Sequence, residues 1–270
     1  RAMPSALITG GAKRLGAEIA RDLTLSGGSG GAERFRVAVH YRGSRAEAEA
    51  LAAEIASDGG EIALFQGDLS DPAQARAVVE AASEWAGRLD LCVNNASQFV
   101  NDSLLEQPNE ASLEHMAVNL VAPEIMVQHM AGQRTAQQTG RDSLVINMLD
   151  NKLFALNPDF HSYTLSKMAL KSMTEMAAMQ FNGRPRVCGI APSITLISGK
   201  QNQENFEKSS RINPLERRVL PQDICAAVRY LWHAKSSNGQ IITIDGGQSL
   251  MRLPRDVAFL VKDGAVDGTL

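Results

Sequence analysis

Cysteine is scarce in this chain of 270 residues: Cys92, Cys188 and Cys225 stand far apart, with no Cys-x-x-Cys spacing. That argues against a disulfide framework and, with no clustered histidines, against a zinc site, so no metal is expected. Long apolar runs are missing too. None reaches the roughly 18 residues of a membrane helix, and the first apolar segment, Ala6 to Ile8, runs straight into glycines rather than into a cleavage site. Neither a membrane partner nor an export signal is expected, and the setting reads as cytoplasmic. Neither sign of charge dominates, since 27 Lys and Arg face 30 Asp and Glu, and no basic face for nucleic acid shows. What these absences leave is a globular protein, of a length that suits one α/β domain over 1–270.

What is present is an alternation of short apolar strands with longer Ala-rich helical segments, the pattern of a parallel sheet with helices on both faces. The first strand, near Ser5 to Thr9, ends in Gly10-Gly11-Ala12-Lys13-Arg14-Leu15-Gly16, after which Leu15, Ile19, Ala20 and Leu23 repeat at helical spacing. A glycine turn between a strand and a helix N-terminus admits a pyrophosphate, so Gly10, Arg14, Leu15 and Gly16 are candidate cofactor contacts. The second strand, Arg36 to His40, ends without the acidic residue that would hold a ribose 2′-hydroxyl. Instead His40, Arg42 and Ser44, with Arg14, are expected to gather around a 2′-phosphate, which favours NADP(H) over NAD.

The third strand, Ile62 to Gln66, brings Asp68 and Leu69 to its carboxyl end. There Asp68 either accepts a bond from an adenine amine or caps the next helix, a task for which Ser70 and Asp71 before Pro72 look better suited. The fourth strand, Leu89 to Val93, ends in Asn94-Asn95-Ala96-Ser97-Gln98-Phe99, where amides and a small residue let the chain pass close to a flat ligand. A long helix is expected over about 111–138. Inside it Pro123 removes a hydrogen bond, and Asn119, one turn earlier, is expected to bond a carbonyl or a water. The strand Ser143 to Met148 carries Asp150 to its end. The strand Arg186 to Ile190 is followed by Pro192 and Thr195, and an amide-rich loop at about 193–218 is expected to act as a mobile substrate lid. A tail follows from about residue 250.

Tyr163-Thr-Leu-Ser-Lys167 places a phenol and an ammonium four residues apart on one side of a helix. A nearby ammonium favours the phenolate, so the pair predicts a proton exchangeable near neutral pH and Tyr163 as a general acid. The methionines of the same helix, Met168, Met173, Met176 and Met179, read as core or subunit packing.

Together the glycine turn, Asn94-Asn95-Ala96, Asn119, Tyr163-x-x-x-Lys167, Pro192 and Asp245-Gly246-Gly247 resemble the short-chain dehydrogenase/reductase family. The resemblance implies a Rossmann-type, doubly wound sheet of seven parallel strands, hydride transfer with NAD(P), and a homotetramer. It also implies Tyr163 as acid, Lys167 holding the nicotinamide ribose and lowering the Tyr163 pKa, and Asn119 holding a water in a proton relay. Arg14 stands where the middle glycine of the family's turn is usual, and Asp150 where its serine is. In both respects the chain is similar to the pteridine reductase branch, which implies Phe99 stacked on a pterin and Ser97 bonding its edge. A carboxyl group at 150 suits protonation of a ring nitrogen better than stabilisation of a carbonyl oxygen. The expected activity is NADPH-dependent reduction of a pterin or dihydrofolate C=N bond. The alternatives are a carbonyl reductase acting on a 3-oxoacyl thioester and a non-catalytic NADP-binding redox sensor.

Overall fold

The computed structural model describes residues 3–25, 33–105, 109–133, 142–197 and 201–264. The glycine-rich run 26–31 and the end of the tail, 265–270, lie outside the described residues. Seven parallel strands form one sheet: β1 (Ser5–Ile8), β2 (Arg36–Tyr41), β3 (Ile62–Gln66), β4 (Leu91–Asn94), β5 (Leu144–Met148), β6 (Arg186–Pro192) and β7 (Ile241–Ile244). Their order is β3-β2-β1-β4-β5-β6-β7. The chain steps outward from β1 to β3 and then returns to lay β4 on the other side of β1. The carboxyl ends of β1 and β4 therefore flank the switch point, where ligands of open α/β sheets bind.

Helices α1 (Arg14–Leu25), α2 (Arg45–Ser57), α3 (Pro72–Ala86), α4 (Asn109–Met116), α5 (Ala122–Gly132), α6 (His161–Gln180), α7 (Gln203–Ser209), α8 (Pro221–His233) and α9 (Val257–Lys262) complete the chain. Along β1, Ala6 and Ile8 join one buried layer and Leu7 the other, as a period of two requires when both faces are covered. The first layer is closed by Ile19, Leu23, Leu51 and Ile224 from α1, α2 and α8, the second by Val79, Ile125, Met126 and Ala177 from α3, α5 and α6. Leu23 is fully buried, so truncating it to alanine costs about 2–5 kcal/mol. Local signals set the helix ends. At α3, Pro72 opens the first turn, Asp71 accepts from the Ala73 N–H, and Gly87 ends the helix at φ 71°.

Two expected elements differ. The long helix at 111–138 is instead α4, a π-helical turn (Ala117–Val121) and α5. Pro123 has no N–H for the carbonyl of Asn119 four residues earlier, and the α ladder opens into the wider turn just before it. The helix ends at Gly132 with Gln133 at its C-cap, whose side chain bonds the backbone of Leu89 at 2.8 and 3.3 Å; residues 134–138 are outside the described set. The amide-rich stretch after 198 is not a plain loop either. Asn202 caps α7 by accepting from Asn205 N, and the Asn205 amide donates to Ala258 O at 2.8 Å, tying α7 to α9.

Candidate active site

The glycine turn is closed against the end of β4 by short contacts. A Cβ on Gly16 would lie 2.5 Å from Gly10 O and 2.6 Å from Asn95 Nδ2, and one on Gly10 would lie 2.9 Å from Ala96 Cα. Asn95 Nδ2 donates to both Thr9 O and Gly10 O at 3.0 Å, while the N–H groups of Asn95 and Ala96 both donate to Thr9 Oγ1 at 3.0 Å. Arg14 takes φ 55°, the left-handed conformation that glycine adopts cheaply, in keeping with its place in a glycine motif. The first N–H groups of α1, at Arg14, Leu15 and Gly16, have no partner within the helix and, with the helix dipole, form a cradle that fits a pyrophosphate.

His40 lines the cavity but is bonded to backbone, and Asn94 is not among the lining residues. Gly10 N donates to His40 Nδ1 at 3.0 Å, which fixes the tautomer, so Nε2 donates to Gly67 O at 3.0 Å. Both ring nitrogens are committed to backbone, and burial lowers the His40 pKa, so the ring is a neutral brace and no phosphate ligand. Asn94 points into the sheet, where Nδ2 donates to Asn147 Oδ1 at 2.8 Å and Asn147 in turn donates to Thr174 Oγ1. The contact expected of Asn94 falls to Asn95, which lines the cavity. Strand periodicity carried the signal, since adjacent residues face opposite ways.

Arg14, Arg42 and Ser44 line one end of the cavity together with Asp68 and Leu69. The Ser44 hydroxyl makes no cap bond to α2. Asp68 accepts through Oδ1 from Ser70 N and Ser70 Oγ, at 2.9 and 2.8 Å, which lowers its pKa, while Asp71 does the capping.

At the centre, Tyr163 Oη donates to Asp150 Oδ2 at 2.9 Å, and Asp150 Oδ1 accepts from Lys152 N at 2.8 Å. Lys167 Nζ donates to Met148 O at 2.7 Å and stands 5.8 Å from the centre of the Tyr163 ring. The electrostatics reverse the sequence expectation. Burial raises the Tyr163 pKa well above its ordinary value, and the neighbouring Asp150 carboxylate raises it further. Burial also raises the Asp150 pKa and pushes Lys167 down to about 8. At Tyr163, burial and the Asp150 carboxyl group therefore outweigh the pull of the lysine on the phenol.

Asn119 is fully buried, and its amide is spent on protein. Oδ1 accepts from Gln98 N at 2.8 Å and Ser97 Oγ at 3.2 Å; Nδ2 donates to Gln98 O at 3.0 Å and Ser166 Oγ at 2.9 Å. Its side chain clamps the turn carrying Ser97 and Phe99 against α6. Phe99 lies on the cavity, stacked at 4.5 Å on Phe160 and edge-on to Tyr163 at 4.7 Å, so one face expected to meet a substrate ring already carries another ring. Pro192 and Thr195 line the cavity at the end of β6.

The far wall was not foreseen. Phe160, at φ 54°, stacks at 5.6 Å on Phe259 of α9. Arg255 binds Asp159 through Nε at 2.8 Å, and Asp256 N donates to the same carboxylate at 2.7 Å. Arg255 and Asp159 are 96 positions apart in sequence and carry no shared motif. The cavity measures about 1350 Å³, more than the roughly 300–1,000 Å³ of a site for one drug-sized ligand, and so has room for a dinucleotide and a second molecule.

A family model described as enoyl-(acyl carrier protein) reductase matches residues 11–249. Pteridine reductase 1 of Leishmania tarentolae is 30% identical, over 92% of this chain and 97% of its own length. A 3-oxoacyl-(acyl-carrier-protein) reductase FabG of Staphylococcus aureus is 28% identical, over 90% of this chain and 97% of its own. Among solved structures, the FolM alternative dihydrofolate reductase 1 of Brucella suis, in complex with NADP, is 39% identical with a TM-score of 0.83, covering 92% of this chain and 95% of that one.

Proposed function

The chain belongs to the short-chain dehydrogenase/reductase family, and from that premise we propose that it reduces a C=N bond of a dihydropterin or dihydrofolate at the expense of NADPH. The observation that carries this reading is the Tyr163–Asp150 bond, which puts a half-buried carboxyl group of raised proton affinity beside the candidate acid. A carboxylate facing a carbonyl oxygen would oppose the negative charge that gathers there, whereas a carboxyl group that holds a proton can give it to a ring nitrogen. The pteridine reductase and the NADP-bound FolM proteins support the same substrate class.

NADPH, when bound, supplies the hydride. Arg14, Leu15 and Gly16 hold its pyrophosphate by backbone N–H groups, with Gly10 giving the turn its close approach. Arg14, Arg42 and Ser44 hold the 2′-phosphate, and Asp68 and Leu69 border the adenine. Ala96, Pro192, Thr195 and Lys167 border the nicotinamide end. The Asp150–Tyr163 pair delivers one proton to the nitrogen next to the carbon being reduced, and Ser97 bonds the edge of the substrate ring.

The exposed Leu113, Leu165, Met176 and Met179 on α4 and α6 support a homotetramer that covers these helices. Three buried, unpaired thiols and the demand for NADPH support a cytoplasmic setting. Among the described residues no helix is long and apolar enough to cross a membrane.

The test is NADPH consumption. We expect turnover with dihydrobiopterin or dihydrofolate and little with a 3-oxoacyl thioester. Turnover with the thioester alone would replace this reading by a carbonyl reductase, and NADPH binding with no turnover on any of them by a redox sensor.

A further inference from the structure

Lys152 carries a buried ammonium. It is 8% exposed, and among the described residues its Nζ has no hydrogen-bond partner; Asp256 Oδ2 lies 4.0 Å away and the Phe160 ring centre 5.2 Å away. An ammonium carries three donors, and leaving them unmet away from water is costly. The surroundings show that cost: burial lowers the Lys152 pKa against the pull of Asp256, Asp150 and Asp159. An apolar residue of its size would fill the space without that penalty.

The position is well defined. Lys152 N donates to Asp150 Oδ1 at 2.8 Å, so the residue is tied to the carboxyl group that receives the Tyr163 bond. The side chain lines the same cavity as Tyr163 and Phe99. Next to it, Phe160 lies between Phe99 and Phe259 in a run of nearly parallel rings, a stack that a flat ligand can extend at an end.

We propose that Lys152 is a substrate-binding residue whose ammonium donates to a neutral acceptor, a ring carbonyl oxygen or ring nitrogen, on the flat heterocycle being reduced. A carboxylate is the less suitable partner, because Asp256 already stands 4.0 Å from the ammonium and a second carboxylate there would be repelled by it. The lysine therefore reads the ring and not an acidic tail. This rests on the pterin and dihydrofolate reading of the site.

The experiment compares the wild type with Lys152→Met and Lys152→Arg in steady-state kinetics, using dihydrobiopterin, which has no acidic tail, and dihydrofolate, which has one. For Lys152→Met we expect KM to rise about tenfold or more for both substrates, the size of one lost charged hydrogen bond, with kcat within about threefold and the NADPH Kd unchanged. Lys152→Arg should recover part of the loss. Unchanged KM values overturn the proposal, and so does a loss confined to dihydrofolate, which would assign the lysine to the tail. A fall in kcat with a shifted pH profile and unchanged KM also overturns it, because the residue would then act through Asp150. If the wild type turns over neither substrate, the reading of the reaction fails separately. Calorimetric binding of biopterin to the NADPH-loaded wild type and Lys152→Met proteins then decides: weaker binding by the variant supports the proposal, and equal binding, or none by the wild type, ends it.

Discussion

The two ends of the cavity are built differently. At the β1–β4 end, closure is by backbone: Gly10 and Gly16 leave no room for a Cβ, Asn95 laces two carbonyls, and His40 is locked between two peptide groups. At the β5–β6 end, closure is by side chains from distant segments, with Phe99 on Phe160 on Phe259, Asp159 on Arg255, and Asn205 on Ala258. Both ends hold groups with displaced proton affinities, His40 and Asp68 at the first, but the second gathers four of them, Asp150, Tyr163, Lys167 and Lys152. A region closed by backbone can take a cofactor common to a whole family. One closed by side chains, with buried groups whose ionisation is costly, can specialise in chemistry.

Separate substitutions at the two ends should separate the two functions. Tyr163→Phe should lower kcat by about 10²–10⁴ while NADPH binding, measured by fluorescence titration, changes less than about twofold; survival of turnover would move the acid elsewhere. At the other end, Arg14→Ala combined with Arg42→Ala should reduce the preference for NADPH over NADH by about tenfold or more, with kcat nearly kept. An unchanged ratio removes the 2′-phosphate pocket. The smallest effect concerns pH. Burial holds the folded His40 pKa below its ordinary value of about 6.5, so its contribution to stability is fully present above that value and is lost as pH falls through the folded pKa. Melting temperature should therefore drop more steeply below about pH 6.5 in the wild type than in His40→Asn, and identical slopes would show that the ring is not the group concerned.

The same contrast explains what was legible in the sequence. The strands and most helix starts were readable because they follow from periodicity and capping residues, as at Asp71-Pro72. The glycine turn was readable because it needs particular backbone angles. Asn94 and His40 misled, since a residue type at the right loop does not say which way its side chain turns; the strand alternation favouring Asn95 and the spare backbone groups of Gly10 and Gly67 decided that. The Tyr163 prediction erred in sign because sequence spacing places the lysine but not the burial or the Asp150 contact that outweigh it. The far wall had no local signal, as its partners meet only once the chain has folded.

The central claim is that the carboxyl group at 150, bonded to Tyr163, supplies the proton for a C=N bond. Its most direct test is the kcat of Asp150→Ser with dihydrobiopterin and with a small ketone that the wild type reduces at all. We predict a loss of about a hundredfold or more for the pterin and little loss, or a gain, for the ketone. Equal losses on both substrates would contradict the account.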